Sequence, residues 1–388
     1  MSKILVTDCW TRKTLSAVRS LGREGLIVDA VSHTRIAPGI YSSFVRQYFI
    51  VPDPKKDPEG YLRSILELLQ REQYACIMPF EESSIELFLN ARAQIEQYAR
   101  LPIPSAKAYH AANNKWEVLQ LAKKLNIPMP QSYWPENAAE VDEALNALQF
   151  PIIIKPVNSS GSRGIKKVTN RQQFDKDYAE VVKAYGYPII QECIDWQGEG
   201  CGVGILAQDG DVLANFSYKR LREFPVQGGP STLRESTADD ETKLYAANLL
   251  KELNWDGVAM VEFKRDPVTK VPKLMEINPR FWGSLDLSYV AGVNFPYLLY
   301  LFATGQQVMQ PIYKTGTIGR WLLPGDLAHF LGNPNRFKME PSFFNFINDN
   351  TYYDDFKKDD IKGNIATVLC TIAMVFDPEI WKIGVFRK

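Results

Sequence analysis

The chain has 388 residues, enough for two or three domains, and its 45% hydrophobic and 23% charged content is that of an ordered globular protein rather than a disordered one. Lysine plus arginine and aspartate plus glutamate both number 45, so no net field gathers nucleic acid or an anionic membrane, and any anion must be held by a local cluster. Five cysteines without a C-x-x-C pair and three well-separated histidines argue against a disulfide framework and a zinc site.

The opening "MSKILVTDCWTRK" meets a charged residue after a short apolar run, which fits neither a signal peptide nor a membrane span, and a cytoplasmic location is expected. "KILVTD" (3–8) predicts a buried strand, "RKTLSAVRSLGREG" (12–25) an amphipathic helix closed by glycine, and "LIVDAVS" (26–32) a second strand. This βαβ opening implies a parallel sheet. "EGYLRSILELLQREQ" continues as helix, "YACIMPF" as strand, and "EESSIELFLNARAQIEQY" as helix with acidic residues near its start. The unit is Rossmann-like through about residue 105. However, the turn after the first strand reads "TDCWTRKT" where G-x-G-x-x-G would stand, which disfavours a dinucleotide and an oxidoreductase.

Prolines 102 and 104 mark a boundary, a helix carrying Lys115 follows, and prolines 128 and 130 end it. From residue 150 strands are expected to predominate, with few long helices until about 240, as an α+β region. In "PIIIKPVNSSGSRGIKKV" an apolar strand ends in Lys155 and a flexible loop follows. Gly161 and Gly164 permit close approach, so backbone N–H groups and the hydroxyls of Ser159, Ser160 and Ser162 suit phosphate oxygens. A plain hairpin with a solvated lysine is the alternative.

"PIIQECI" runs as a strand into Glu192, Cys193 and Ile194, and Glu199 follows a short loop; such an edge offers backbone groups to an adenine and a carboxylate to ribose hydroxyls, or else leaves Glu199 in water. "GVAMVEFKRDPVTKVPKLMEINPR" pairs two strands across a turn and sets Glu262 beside Glu276. Two carboxylates about 4 Å apart repel by roughly 4 kcal/mol at an effective dielectric of about 20. A divalent cation relieves that cost more simply than protonation or a lysine bridge. Within "LMEINPRFWGS" the residues Glu276, Asn278 and Arg280 alternate, so an extended segment projects a carboxylate, an amide and a guanidinium from one face. Hard oxygen ligands suit Mg²⁺, and a planar fork of donors suits phosphate.

The order of these pieces, Lys115, "IIIKP" with its Ser/Gly loop, "IIQECI" with Glu199, "VEFK" and "MEINPR", resembles the ATP-grasp superfamily, in particular its carbamoyl-phosphate-synthase-like and carboxylate–amine ligase branch, over residues 1 to 305. The resemblance implies a Rossmann-like pre-ATP-grasp domain (1–105) and an ATP-grasp domain (106–305) whose two α+β subdomains clamp ATP, with a lid at about 125–190. It assigns Lys115, Lys155 and the 159–164 loop to the phosphates, Glu192, Cys193 and Ile194 to the adenine hinge, and Glu199 to the ribose. Glu262, Glu276 and Asn278 would hold one or two Mg²⁺, or Mn²⁺ in their place, and Arg280 would face the reacting phosphoryl group.

The implied chemistry is ATP phosphorylating a carboxylate and an amine attacking the acyl phosphate, with ADP and phosphate released. A non-catalytic ATP-binding regulatory or scaffold module is the alternative. In "SYKRLREFPVQGGPSTLRES" (217–236) the position of Lys219 resembles that of a basic residue aimed at the γ-phosphate, and Arg222 is assigned to the acyl phosphate or the substrate carboxylate. The expected partners are a small-molecule carboxylate and amine, with no nucleic acid. Residues 306–388, a C-terminal extension, match nothing in this pattern; completing the acceptor site, forming a homodimer and docking a larger partner are the roles open to them. The apolar "NIATVLCTIAMVF" (364–376) falls short of the ~18 residues of a membrane span and is expected to be a buried strand or helix, with an interfacial membrane segment as the alternative.

Overall fold

A computed structural model describes residues 1–159, 163–195, 198–226 and 228–375. The first unit contains β1 (Lys3–Val6), α1 (Arg12–Arg23), β2 (Ile27–Ser32), β3 (Val45–Ile50), α2 (Pro58–Arg71), β4 (Cys76–Met78), α3 (Glu82–Asn90) and α4 (Arg92–Ile95). Its four strands pair in parallel in the order β3-β2-β1-β4, as the βαβ pattern requires. The long helix read from "EESSIELFLNARAQIEQY" is broken at Ala91 into α3 and α4. At the end of β1, Asp8 adopts φ 61° and its carboxylate accepts the N–H groups of Phe80 and Glu81 and the Ser84 hydroxyl. That clamp fixes the start of α3, which carries Glu81 and Glu82 toward the rest of the chain.

After α5 (Ala106–Asn113) and α6 (Lys115–Lys124) comes a small four-stranded sheet, ordered β5-β8-β6-β7. It comprises β5 (Ser132–Tyr133), α7 (Ala138–Ala147), β6 (Ile152–Lys155), β7 (Lys166–Val168), α8 (Arg171–Tyr185) and β8 (Ile189–Glu192). Strands predominate between 150 and 240 as expected, and the one long helix there among the described residues is α8, 15 residues long and capped by Asn170. Its apolar face is narrow in sequence: the buried residues are Phe174, Asp177 and Val181, set among many charges.

The third unit is a seven-stranded sheet, β13-β12-β9-β10-β11-β14-β15. It takes in β9 (Gly200–Gln208), β10 (Asp211–Glu223), β11 (Ser231–Thr237), α9 (Asp240–Glu252), β12 (Gly257–Arg265), β13 (Pro272–Asn278), α10 (Leu285–Ala291), α11 (Phe295–Ala303), β14 (Ile318–Arg320), α12 (Leu327–Gly332), β15 (Thr351–Tyr353) and α13 (Ile361–Val375). One face packs on α5, α6 and α9 through Val203, Ile205, Phe263 and Trp255. The other meets the N-terminal unit, α10 and α11 through Tyr218, Met260, Phe281 and Trp282. Gly204 is required on this second face, because an added Cβ would lie 2.3 Å from the Trp282 ring.

The chain beyond residue 305 is part of this architecture, since β14 and β15 extend the large sheet. The apolar segment 364–376 is the helix α13 through residue 375, and Phe376 lies outside the described residues. Its small residues Gly363, Ala366 and Cys370 face inward, while Ile365 and Leu369 are exposed, so the expected burial holds for one side only. No helix among the described residues is long and apolar enough to cross a membrane.

Arg19 of α1 ties this C-terminal segment down: it donates to Asp360 at 2.7 Å, to the Asp354 carbonyl at 2.8 Å and to Asn364 at 2.8 Å, with both charged groups buried. Replacing it leaves Asp360 as an uncompensated buried carboxylate. Arg19→Met is therefore expected to lower unfolding free energy by about 3–5 kcal/mol, read from urea denaturation; a loss below about 1 kcal/mol would contradict the buried pairing.

Candidate functional site

The antiparallel ladder between β12 and β13 sets Glu262 opposite Glu276, and Asn278 donates from Nδ2 to Glu262 Oε1 at 3.2 Å. The hairpin thus brings Glu262, Glu276 and the Asn278 amide to one face of the sheet, while Arg280 lies past the strand and turns to Glu82. Among the described residues no cluster of three or more His, Cys, Asp or Glu side chains forms, so the oxygen donors here are two carboxylates and one amide. Burial pushes the Glu262 carboxyl up; Arg220 opposes that shift and Glu276 adds to it. A group in this position gains from a cation, which would remove both the like-charge repulsion and the desolvation penalty.

Lys115 is the first residue of α6, whose N-cap Asn114 accepts the N–H groups of Trp116 and Glu117. The Lys115 backbone N–H bonds the Val157 carbonyl at 3.1 Å, docking the helix end beside β6. Its ammonium donates to the Ser159 carbonyl and lies 3.7 Å from Glu276 Oε2. Lys155, the last residue of β6, is buried, and that burial drives its ammonium down to about 8, with Glu276 opposing and Lys115 reinforcing the shift. Two lysines that repel each other around one carboxylate form a site suited to polyanion oxygens. The Ser159 hydroxyl is buried and has no partner among the described residues. Gly164 sits at φ 74°, and an added Cβ would lie 2.7 Å from Pro156. Ser160, Gly161 and Ser162 lie outside the described residues.

Glu192 ends β8 with its carboxylate held by Lys273 (2.8 and 3.0 Å) and by the Gln131 N–H (3.0 Å). Cys193 and Ile194 continue beyond the ladder, and the Ile194 carbonyl accepts from Lys264 at 3.5 Å. Glu199 is exposed, and its carbonyl accepts the Arg265 N–H at 2.8 Å. Arg280 lies just past β13. It donates to Glu82 at 3.0 Å and to the Phe281 carbonyl, while Lys13 pairs with Glu81 at 2.8 Å, so the start of α3 braces this corner.

Two expectations on β10 require correction. Lys219 pairs with Cys201 and Glu235, and Cys201 pairs with Phe263, so Lys219 projects from the face opposite Glu262. Its ammonium is 3.5 Å from Glu235. Arg222 follows a register shift in the β10–β11 ladder and grips buried Asp326 through two bonds (2.7 and 2.8 Å), with a third to the Pro341 carbonyl. The basic residue the sheet places at the carboxylates is Arg220, 2.5 Å from Glu262. A period of two along the strand separates Lys219 from Arg220, but which face carries Glu262 is decided by pairing through β9.

Family models match two overlapping stretches: "ATP-grasp in the biosynthetic pathway with Ter operon" over 193–319 and "D-ala D-ala ligase C-terminus" over 116–223. Together with the fold, these matches place residues 116–319 in the ATP-grasp superfamily. A D-alanine–D-alanine ligase of Fusobacterium nucleatum is 26% identical over 39% of this chain and 50% of its own length. The C-terminal section of a carbamoyl phosphate synthase large chain from Methanopyrus kandleri is 26% identical over 42% of this chain and 31% of its own. The chain thus spans half or less of these curated relatives. Among solved structures, the biotin carboxylase domain of the 2-oxoglutarate carboxylase of Hydrogenobacter thermophilus, in complex with MgADP, ADP and bicarbonate, superposes with a TM-score of 0.67 at 16% identity, covering 82% of this chain and 73% of that one.

The Lys155 shift has a measurable consequence. Between about 8 and its ordinary value of 10.5 the unfolded chain holds a proton that the folded chain has released, so the penalty this lysine places on folding is full below pH 8 and fades toward pH 10.5. Wild-type stability minus that of Lys155→Met is expected to rise by up to about 3 kcal/mol across that window. Urea midpoints measured at a series of pH values test this; a flat difference would show the lysine ionising as it does in water.

Proposed function

We propose that the protein is an ATP- and Mg²⁺-dependent ligase of ADP-forming type that joins a small-molecule carboxylate to an amine through an acyl phosphate, acting in the cytoplasm. The observation that carries this reading is the cross-strand pair Glu262 and Glu276 with Asn278, flanked by Lys115, Lys155 and Arg220. Residues 1–105 serve as the pre-ATP-grasp domain, 106–305 as the ATP-grasp domain with its lid at about 125–190, and 306–388 as an extension whose strands β14 and β15 complete the large sheet. The last of these is also the surface we assign to any homodimer. The family models and the MgADP-containing structural neighbour support the nucleotide and metal assignment.

Glu262, Glu276 and Asn278 would hold Mg²⁺, whose contribution when bound is to neutralise phosphate charge. Lys115 and Lys155 bind phosphate oxygens, and the buried Ser159 hydroxyl beside them joins in that role. Cys193 and Ile194 present backbone to the adenine edge; the Glu192 carboxylate, held by Lys273 and the Gln131 N–H, shapes that segment. Glu199, exposed, takes the ribose. Arg280 is held by Glu82 at the edge of the carboxylate pair and orients the transferring phosphoryl group, with Arg220 beside Glu262 in the place first assigned to Lys219. The protein's share of the work is positioning and charge neutralisation, as in phosphoryl transfer generally.

A panel of amino acids and small acids, read by phosphate release, is expected to show ADP formation only when both a carboxylate and an amine are present. Glu276→Gln should reduce kcat on the order of 10²–10³-fold while the protein stays folded. Silence across the panel with tight binding of ATP would favour a non-catalytic nucleotide-binding module instead.

A further inference from the structure

Three buried arginines of this protein are saturated. Arg19 finds acceptors for Nε, Nη1 and Nη2 in Asp360, Asp354 and Asn364. Arg222 and Arg320 share Asp326 and give their remaining donors to the carbonyls of Pro341, Phe343 and Asn345. Arg234 of β11 departs from this pattern. It is fully buried, and among the described residues only Nη2 has a partner, Asp354, while Nε and Nη1 have none.

Arg12 of α1 lies against it. Arg12 Nη1 is 3.7 Å from the same Asp354 oxygen and makes no hydrogen bond among the described residues, Nη2 reaches the Ser231 carbonyl only at 3.4 Å, and the guanidinium stacks 3.8 Å from the centre of the Trp321 ring. Asp354 Oδ1 likewise has no partner among the described residues. A buried donor without an acceptor costs about 1–3 kcal/mol, so three in one place form a poor structural solution when the neighbouring arginines avoid it. Burial and the charge of Arg234 push the Arg12 guanidinium down to about 10, the expected response of two cations sharing one carboxylate.

The location connects these groups to the site. Arg234 pairs directly across the ladder with Arg220, which bonds Glu262. One row along, Tyr218 pairs with Gly202, itself paired with Glu262, so Tyr218 lies on the same face between the carboxylates and the arginines. Gly283, three residues beyond Arg280, admits Arg12: an added Cβ would lie 2.7 Å from Arg12 Nη2.

We propose that Arg12 and Arg234 form a recognition site for an anionic oxyacid group, a carboxylate or a phosphate, on the substrate, separate from its reacting carboxylate. This deepens the ligase reading and rests on it for calling the ligand a substrate. Planar guanidinium forks match an oxygen pair in both ligand classes. Trp321 holds the plane of Arg12, and Asp354 anchors Arg234 by one nitrogen, leaving its other donors for the ligand. A substrate recognised in this way carries two acidic groups.

Calorimetric titration of succinate, inorganic phosphate and neutral succinamide into the protein preloaded with Mg²⁺ and a non-hydrolysable ATP analogue tests the assignment. Wild type is expected to bind succinate or phosphate and not succinamide, and the tighter anion tells the carboxylate source from the phosphate source. Arg12→Met should weaken that binding by roughly tenfold or more. Arg234→Met combined with Asp354→Asn removes both buried charges together, so the same loss in a folded protein supports the site independently. Failure of both anions to bind wild type, or equal affinity in wild type and both variants, overturns the proposal. Analogue binding recorded in the same samples separates the two readings: if it persists while the anions fail, only the arginine site falls. If the analogue itself does not bind, the ligase reading falls, and titration of the anions without nucleotide still tests the arginines.

Discussion

Two carboxylates facing each other across the outermost ladder of the large sheet, Glu262 and Glu276, create a local electrostatic problem that the surrounding chain is arranged to meet. Like charges at that spacing are tolerated only with cations close by. The structure supplies Arg220 to one carboxylate and Lys115 to the other, with Lys155 buried behind. Each of these comes from a different element. The site consequently depends on three separate docking events: α6 against β6, β12 against β9, and β9 against β10.

The N-terminal unit contributes at a distance. Asp8 holds the start of α3, which sets Glu81 on Lys13 and Glu82 on Arg280. The C-terminal extension contributes in the same manner, because its aspartates neutralise arginines of α1, β10 and β11. Buried ion pairs of this kind add little net stability relative to apolar packing. They do fix geometry, since a guanidinium with every donor matched has one orientation. The extension is thereby locked to the first helix and the central sheet, while Arg234 keeps two nitrogens and Arg12 one without a hydrogen-bond partner among the described residues.

Much of this was legible from residue order alone. The βαβ opening, the hairpin that pairs Glu262 with Glu276, and the lysines at 115 and 155 follow from local rules: period-two alternation, turn residues, and a short separation between paired strands. The Gly/Ser loop could be read only as far as its residues, and Ser159, Arg163 and Gly164 are its described parts. The role of β10 was misread for a definable reason. "YKRLR" offers a basic residue on either face of a strand, and local sequence does not say which face meets β12 two strands away. The long α8 escaped notice because its buried face is narrow, and the extension because its partners lie far back in the chain, 104 residues for Arg222 and Asp326 and 341 for Arg19 and Asp360.

The sequence by itself determined which side chains alternate on each strand, where strands turn back on near neighbours, and that carboxylates and lysines of the required type were present. Tertiary structure alone decided that Arg220 rather than Lys219 stands beside Glu262, that Arg222 is turned into Asp326, and that Arg12 and Arg234 meet. The physical reason is range. Alternation and hairpin pairing are set within a few residues, whereas the register between distant strands, and the partner a buried charge finds, are fixed only when whole elements pack and every buried donor must find an acceptor.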